Sequence, residues 1–154
     1  MKKPKYMEEL LKIIFLWLGI MFVCMGVLSF IGVLKPKSSS VIQEPILLGI
    51  YFSVIGLFFI LSSVILGAIT TKMNNLHSEL LTSGTKIKGV VEKVYLQKYT
   101  QYGKQSPYRI LYAYAYQDKI YHHKSYFIWE KPNFVTGDSI MVYANEFGKS
   151  TILL

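Results

Sequence analysis

Two runs, Ile13 to Leu34 and Ile46 to Thr70, contain no Asp, Glu, Lys, Arg or His. Apolar stretches this long are compatible with few solvents, because backbone polar groups in hydrocarbon must be satisfied within the segment itself, which a helix does. At a rise of about 1.5 Å per residue, the 22 residues of the first run reach about 33 Å, against a hydrocarbon core of about 30 Å. The pair predicts a transmembrane helical hairpin with spans over 13–34 and 46–71, joined by a short loop over 35–45.

What remains bounds the rest of the fold. Eighty-four residues follow Thr70, enough for one small domain with a thin core, which would lean on the membrane, on further copies of the chain or on a partner. With 52% hydrophobic residues and a mean hydropathy of +0.34, an ordinary soluble domain is excluded. The net charge of +8 is spread over scattered lysines, which points to anionic lipid headgroups and the positive-inside bias before nucleic acid. The single cysteine, Cys24, lies inside the first run, so neither a disulfide framework within one chain nor a cysteine zinc site is available. Lys2, Lys3 and Lys5 resemble the start of a secretory signal. The apolar run exceeds the usual core of about 7–15 residues, no small-x-small site precedes Pro36, and Met21-Phe22-Val23 before Cys24 do not suit a lipoprotein signal; the segment is expected to be retained.

Orientation follows from the lysines near the spans. Lys2, Lys3, Lys5, Lys12, Lys72, Lys86 and Lys88 lie on the terminal side and Lys35 and Lys37 in the loop, which predicts a multi-pass protein of the cytoplasmic membrane with both termini inside. Residues 1–12 form a basic amphipathic N-terminus. Its helix begins after Pro4, with Glu8 and Glu9 at the positive end of the helix dipole and Tyr6 as an interfacial anchor. Gly19 and Gly26 in the first span, and Gly49, Ser53, Gly56, Ser63 and Gly67 in the second, make stripes of small residues. Such stripes let helix backbones approach closely, first within the hairpin and alternatively between copies in a homo-oligomer. No ionisable residue lies within either run, so an ion-coupled transport site has no candidate.

The loop from Lys35 to Glu44 carries no recognisable chemistry, and Pro45 suits the first position of a helix, where its missing N–H costs little. Met73, Leu76 and Leu80 recur at helical spacing, extending the second helix over 72–83, with Gly84 suited to a left-handed cap. His77 on this extension is expected to be solvated or interfacial.

From residue 84 to residue 154 the period becomes two. Ile87, Gly89 and Val91 share one parity and Val94 and Leu96 the other, which predicts a β-bulge near Glu92-Lys93. A hairpin loop over Thr100–Ser106 leads to a strand whose Tyr108, Ile110, Tyr112, Tyr114 and Tyr116 share a face; Gln117-Asp118-Lys119 turns it, and Ile120 to Trp129 returns. Thr136-Gly137-Asp138 is a tight turn, Ser139 to Ala144 a strand and Thr151 to Leu154 a short last one. The fold class is therefore an α+β membrane protein, with a two-helix transmembrane hairpin followed by a small antiparallel β domain, as a meander or an OB- or SH3-like barrel.

The stretch from Leu80 to Leu154 resembles the bacterial membrane-associated family called domain of unknown function 3592. The residues that carry the likeness are Leu81-Thr-Ser-Gly84, Lys88-Gly89-Val90-Val91, Tyr108-Arg109 with Tyr114-Ala115-Tyr116, Lys119-Ile120-Tyr121, and Phe134 to Tyr143 with its Gly137-Asp138 turn. Gln117-Asp118 stands where Asp-Gly is usual in that family, and Asn145 to Gly148 where a turn rich in Asp and Pro is usual. The resemblance implies the architecture and no catalytic residues.

Chemistry is sparse. His122 and His123 are adjacent on a strand and so point to opposite faces, which does not suit one metal ion. Glu92, Asp118, Glu130, Asp138 and Glu146 are scattered, and neither a nucleophile elbow nor a phosphate loop is present, so neither an enzyme nor a cofactor is expected. Ten of the twelve tyrosines follow residue 94, in a region whose charge from Lys72 onward is 11 basic less 6 acidic, or +5. Tyr108, Arg109, Tyr112, Tyr114, Tyr116 and Trp129 are the candidate binding residues. Their alternation with Leu111, Ala113 and Ala115 equally describes a small core with hydroxyls at the rim, and a basic domain beside anionic lipid needs no nucleic acid to explain it. The expected function is non-enzymatic: a β domain held at the lipid bilayer for contact with a protein partner. The alternative is a membrane immunity protein that neutralises a toxin or bacteriocin.

Overall fold

Both uncharged runs form helices in a computed structural model, which describes residues 3–34 and 44–153. Helix α1 covers Met7–Phe30 and α2 covers Pro45–Ser83, followed by β1 (Thr85–Leu96), β2 (Tyr108–Tyr116), β3 (Lys119–Lys124), β4 (Ser139–Ala144) and β5 (Ser150–Ile152). The chain divides into two compact units, Met7–Thr70 and a second made of Met1–Tyr6 with Thr71–Leu154. Most of the predicted loop, Lys35 to Gln43, falls outside the described residues.

In the helical unit, α1 and α2 are long and apolar enough to cross a membrane, and only 17% and 11% of their most apolar stretches are buried. A core helix of a soluble protein would be covered; here Trp17, Phe58 and Val64 are each more than half exposed. Small residues form the seam between the helices. A Cβ on Gly19 would lie 2.9 Å from the Gly56 carbonyl, one on Gly26 3.0 Å from the Gly49 carbonyl, and one on Gly56 2.8 Å from the Val23 nitrogen. These pairs run in opposite order along the two helices, so the helices are antiparallel. Ser53 lies against Gly26, Gly67 against the Lys12 side chain, and the Ser63 hydroxyl donates to the Lys12 carbonyl at 3.0 Å. Phe22 stacks on Phe59 beside this seam. Gly32, at φ +75°, ends α1: its N–H reaches the Ser29 carbonyl and that of Val33 the Leu28 carbonyl, each at 3.0 Å, a Schellman arrangement that satisfies the last carbonyls. Within α1 the start is as expected, with Glu8 and Glu9 in the first turn.

The expected left-handed cap at Gly84 does not form. Its N–H continues the helical pattern to the Leu80 carbonyl at 2.9 Å, its φ is not positive, and a Cβ there would collide with that same carbonyl. Glycine is needed for close approach, and the chain passes straight from helix to strand.

The five strands form one antiparallel sheet in the order β3-β2-β1-β4-β5, with β1 central. Opposite β2, the register of β1 shifts between Val91 and Lys93, the bulge anticipated from the change of parity. The inner face holds Val91, Ile110, Tyr112, Tyr114, Ile140, Val142, Ala144 and Ile152. Two tyrosine hydroxyls cross this core: Tyr112 Oη pairs with Ser150 Oγ at 3.1 Å, and Tyr114 Oη donates to the Gly148 carbonyl at 2.8 Å. β2 and β5 are three strand spacings apart, about 14 Å in a flat sheet, which one side chain does not span. The sheet is therefore curled into a half-barrel, and the tyrosines fasten one side to the other. Gly148, at φ +71°, passes so close beneath Tyr121 that a Cβ would meet the ring at 2.5 Å.

Strand β3 stops at Lys124, short of the expected Trp129, because one extra residue enters the ladder. Ser125 pairs with Ile110 through its own N–H (2.8 Å) and through Oγ, which accepts from Ile110 N–H at 2.9 Å. The next pair is Ile128 with Tyr108, so three residue steps on one side face two on the other. Between β2 and β3, Gln117 (φ 49°) and Asp118 (φ 59°) both adopt left-handed backbone, the conformation of a type I′ hairpin turn. Left-handed backbone costs a non-glycine residue about 1–2 kcal/mol. Asp118→Gly is accordingly expected to stabilise the domain by about 1 kcal/mol, read as a higher melting midpoint in detergent.

Candidate binding site

The residue inserted after Ser125 releases the Phe127 N–H from the sheet, and that donor reaches the Lys5 carbonyl at 2.8 Å. Beside it the Trp129 indole donates to the Pro4 carbonyl at 2.7 Å. Phe127 and Trp129 meet edge to face with centroids 6.1 Å apart, and Tyr102 approaches Trp129 at 6.0 Å. The three rings make an aromatic cradle beside the Pro4 carbonyl, and Pro4 itself is buried. Lys3 Nζ donates to Gln105 Oε1 at 2.8 Å, Lys5 Nζ stands 5.4 Å over the Tyr126 ring, and Tyr6 is buried. Four consecutive residues of the N-terminal segment are thus held on the β domain, whereas the sequence placed Tyr6 as a membrane-interface anchor.

Next to the cradle is a cleft of about 160 Å³, lined by Tyr6, Leu76, His77, Leu80, Tyr112, Tyr126 and β5. His77, expected to be solvated or interfacial, is half-buried: its Nδ1 is 2.6 Å from Thr151 Oγ1 and its ring meets Tyr126 edge-on. Ser150 Oγ, at the wall of this cleft, is engaged by the Tyr112 hydroxyl. Burial pushes the Tyr112 hydroxyl up to about 12, the Ser150 hydrogen bond opposing the rise, so it remains a neutral phenol. A second hollow, a groove of about 490 Å³, runs along Val94, Leu96, Tyr108, Pro132, Phe134 and Val135.

The six candidate residues do not converge on one place. Tyr112 and Tyr114 are core, and Tyr116 packs against that core. Tyr108 lines the open groove. Arg109 lies with its guanidinium 4.5 Å over Phe127, and its buried Nε has no hydrogen-bond partner among the described residues. Arg109 and Trp129 meet through Phe127, and Trp129 belongs to the cradle. Tyr102, Phe127 and the segment Lys3–Tyr6 were not legible as site residues, since the contacts join positions more than a hundred residues apart. Only the isolated Pro4, flanked by lysines, hinted at an extended segment.

His122 and His123 point to opposite faces, as their adjacency required. His122 Nδ1 pairs with Glu92 Oε1 at 2.8 Å on the outer face, while His123 packs between Tyr112 and Tyr114. Among the described residues no group of three or more His, Cys, Asp or Glu converges to hold a metal ion. Burial holds the His123 imidazole below its ordinary range, a hydrogen bond to the Gly148 backbone opposing and His122 assisting; His77 is lowered by burial first and by Lys5 second. Both rings favour the neutral form in the fold. Below the ordinary value of about 6.5 the unfolded chain binds more protons than the folded one, so this stabilisation is complete above that pH and is lost as pH falls through the folded values. Melting midpoints are expected to hold level above about pH 7 and to decline below about pH 6.5, with His77→Gln plus His123→Gln flattening the start of the decline.

No protein-family model, curated protein or solved structure matches this chain.

Proposed function

We propose that the chain is a two-span protein of the cytoplasmic membrane that presents its β domain, without catalytic turnover, as a binding module for a protein partner. The observation that carries this reading is the shared unit of Lys3–Tyr6 and the β domain. The segment immediately before α1 and the domain immediately after α2 belong to one compact unit, which supports an even number of crossings by the two helices. The lysine bias then puts that unit in the cytoplasm. The exposed aromatic groove beside Tyr108 and the cradle at Trp129 supply surfaces for recognition rather than a convergent set of acid, base and nucleophile. Kinship with domain of unknown function 3592 belongs to the same reading and rests on the strand and turn residues set out above.

Orientation mapping tests it. With Cys24 replaced by Ser, a cysteine at the fully exposed Tyr99 is expected to resist an impermeant maleimide in intact cells and to react after permeabilisation. Reaction in intact cells would reverse the orientation. A protein that co-purifies with the full chain should be lost when residues 84–154 are removed; its retention would move the binding function to the helices.

A further inference from the structure

We infer that the cradle of Tyr102, Phe127 and Trp129 is a recognition site for a short, proline-containing segment, occupied here by the chain's own Lys3–Tyr6 and able to exchange it for a partner's segment of the same Lys-Pro-Lys-Tyr chemistry. This rests on the reading of the β domain as a binding module and names its site.

Three features separate the arrangement from the casual packing of a terminus. The segment is read through its backbone: the carbonyls of two successive residues, Pro4 and Lys5, each accept from a directed donor, the Trp129 indole and the Phe127 N–H. Side chains are read as well. Lys3 reaches the Gln105 amide, Pro4 is buried, Lys5 lies over the Tyr126 face and Tyr6 is buried at the wall of the cleft beside Leu80. Finally, the donor on Phe127 exists because the ladder is interrupted between Ser125 and Ile128. A sheet that kept its register to Trp129 would turn the Phe127 N–H inward, toward β2.

Proline suits such a groove. It lacks an N–H that would need a partner, biases the residue before it to extended backbone, and enters an aromatic slot with little conformational entropy left to lose. The resident segment is held in cis, so an incoming peptide competes against an effective concentration of order millimolar. Exchange therefore favours partners that are themselves concentrated at the same membrane.

The experiment uses the full chain in detergent with Trp17→Phe, which leaves Trp129 as the sole tryptophan. It is compared with the same protein lacking residues 2–5, and with a full-length Lys3→Ala/Pro4→Gly variant that keeps the chain length should the truncation fail to fold. The probe is the peptide acetyl-Lys-Pro-Lys-Tyr-amide, followed by Trp129 emission. Saturable binding is expected to both altered proteins, about tenfold weaker to the intact chain because the resident segment competes. An alanine in place of the peptide's proline should weaken binding severalfold. A folded, cooperatively melting variant that gives no response to millimolar peptide would overturn the proposal, as would equal affinity for intact and altered chains. Should a protein still co-purify through residues 84–154 while the peptide fails to bind, the module reading stands and only this site is lost.

Discussion

Tyr112→Ala is expected to cost the β domain about 4 kcal/mol, the usual cost of truncating a large buried aromatic ring, and so to remove most of the stability of a domain this small. Tyr112 is 1% exposed and lies in the inner-face cluster with Val91 and Ile110. Its hydroxyl ties β2 to β5 across two intervening strands. Two losses combine in the alanine variant: a cavity at the centre of the curl, and the link that holds the curl. Tyr112→Phe separates them, removing only the hydroxyl, with an expected cost of about 1 kcal/mol. Tyr99→Ala, at a fully exposed position, should be neutral. Near-ultraviolet circular dichroism during thermal melting in detergent reads all three. If alanine at 112 melted no earlier than alanine at 99, the tyrosine face would not be a core.

Gly56→Val should separate the two helices. A Cβ at Gly56 would stand 2.7 Å from a Val23 methyl and 2.8 and 2.9 Å from backbone atoms of Val23 and Gly19. A side chain can rotate away from such a conflict, but backbone cannot, so the helices must part along the seam where Gly19, Gly26 and Gly49 also lie. Overpacking of this kind costs about 1–3 kcal/mol, and in a helix pair held chiefly by packing that is enough to shift association by about tenfold or more. The readout is a short bis-maleimide cross-link between cysteines at Phe15 and Phe59, whose rings meet edge to face across the helix pair, in a chain with Cys24 replaced. Cross-linking should drop sharply with Gly56→Val and persist with Ala68→Val, on an exposed position of α2. Equal cross-linking in both would remove the small-residue seam as the cause of pairing.

Features written in local periodicity were legible from sequence. Uncharged length announced α1 and α2, the small residues announced their seam, and the parity change after Val91 announced the bulge opposite β2. The bounds of β4 and the turn at Gly137, with Asp138 Oδ2 accepting from Val135 N–H at 2.7 Å, follow from the same kind of pattern. What escaped depends on partners distant in the chain. Nothing local in Ile120 to Trp129 says that the ladder will break at Ser125, because Ile110 supplies the competing hydrogen bonds. Gly84 looked like a cap, yet its need for glycine comes from the approach of the Leu80 carbonyl. The six aromatic and basic candidates shared a composition, and the curl dispersed them between core, groove and cradle.

Strand β3 is hydrogen-bonded to a neighbouring strand on one side only and carries a lysine at each end, Lys119 and Lys124. Two copies drifting edge to edge in antiparallel register would bring these like charges face to face at both ends of a ladder only six residues long. That repulsion disfavours the addition of a second copy to this edge.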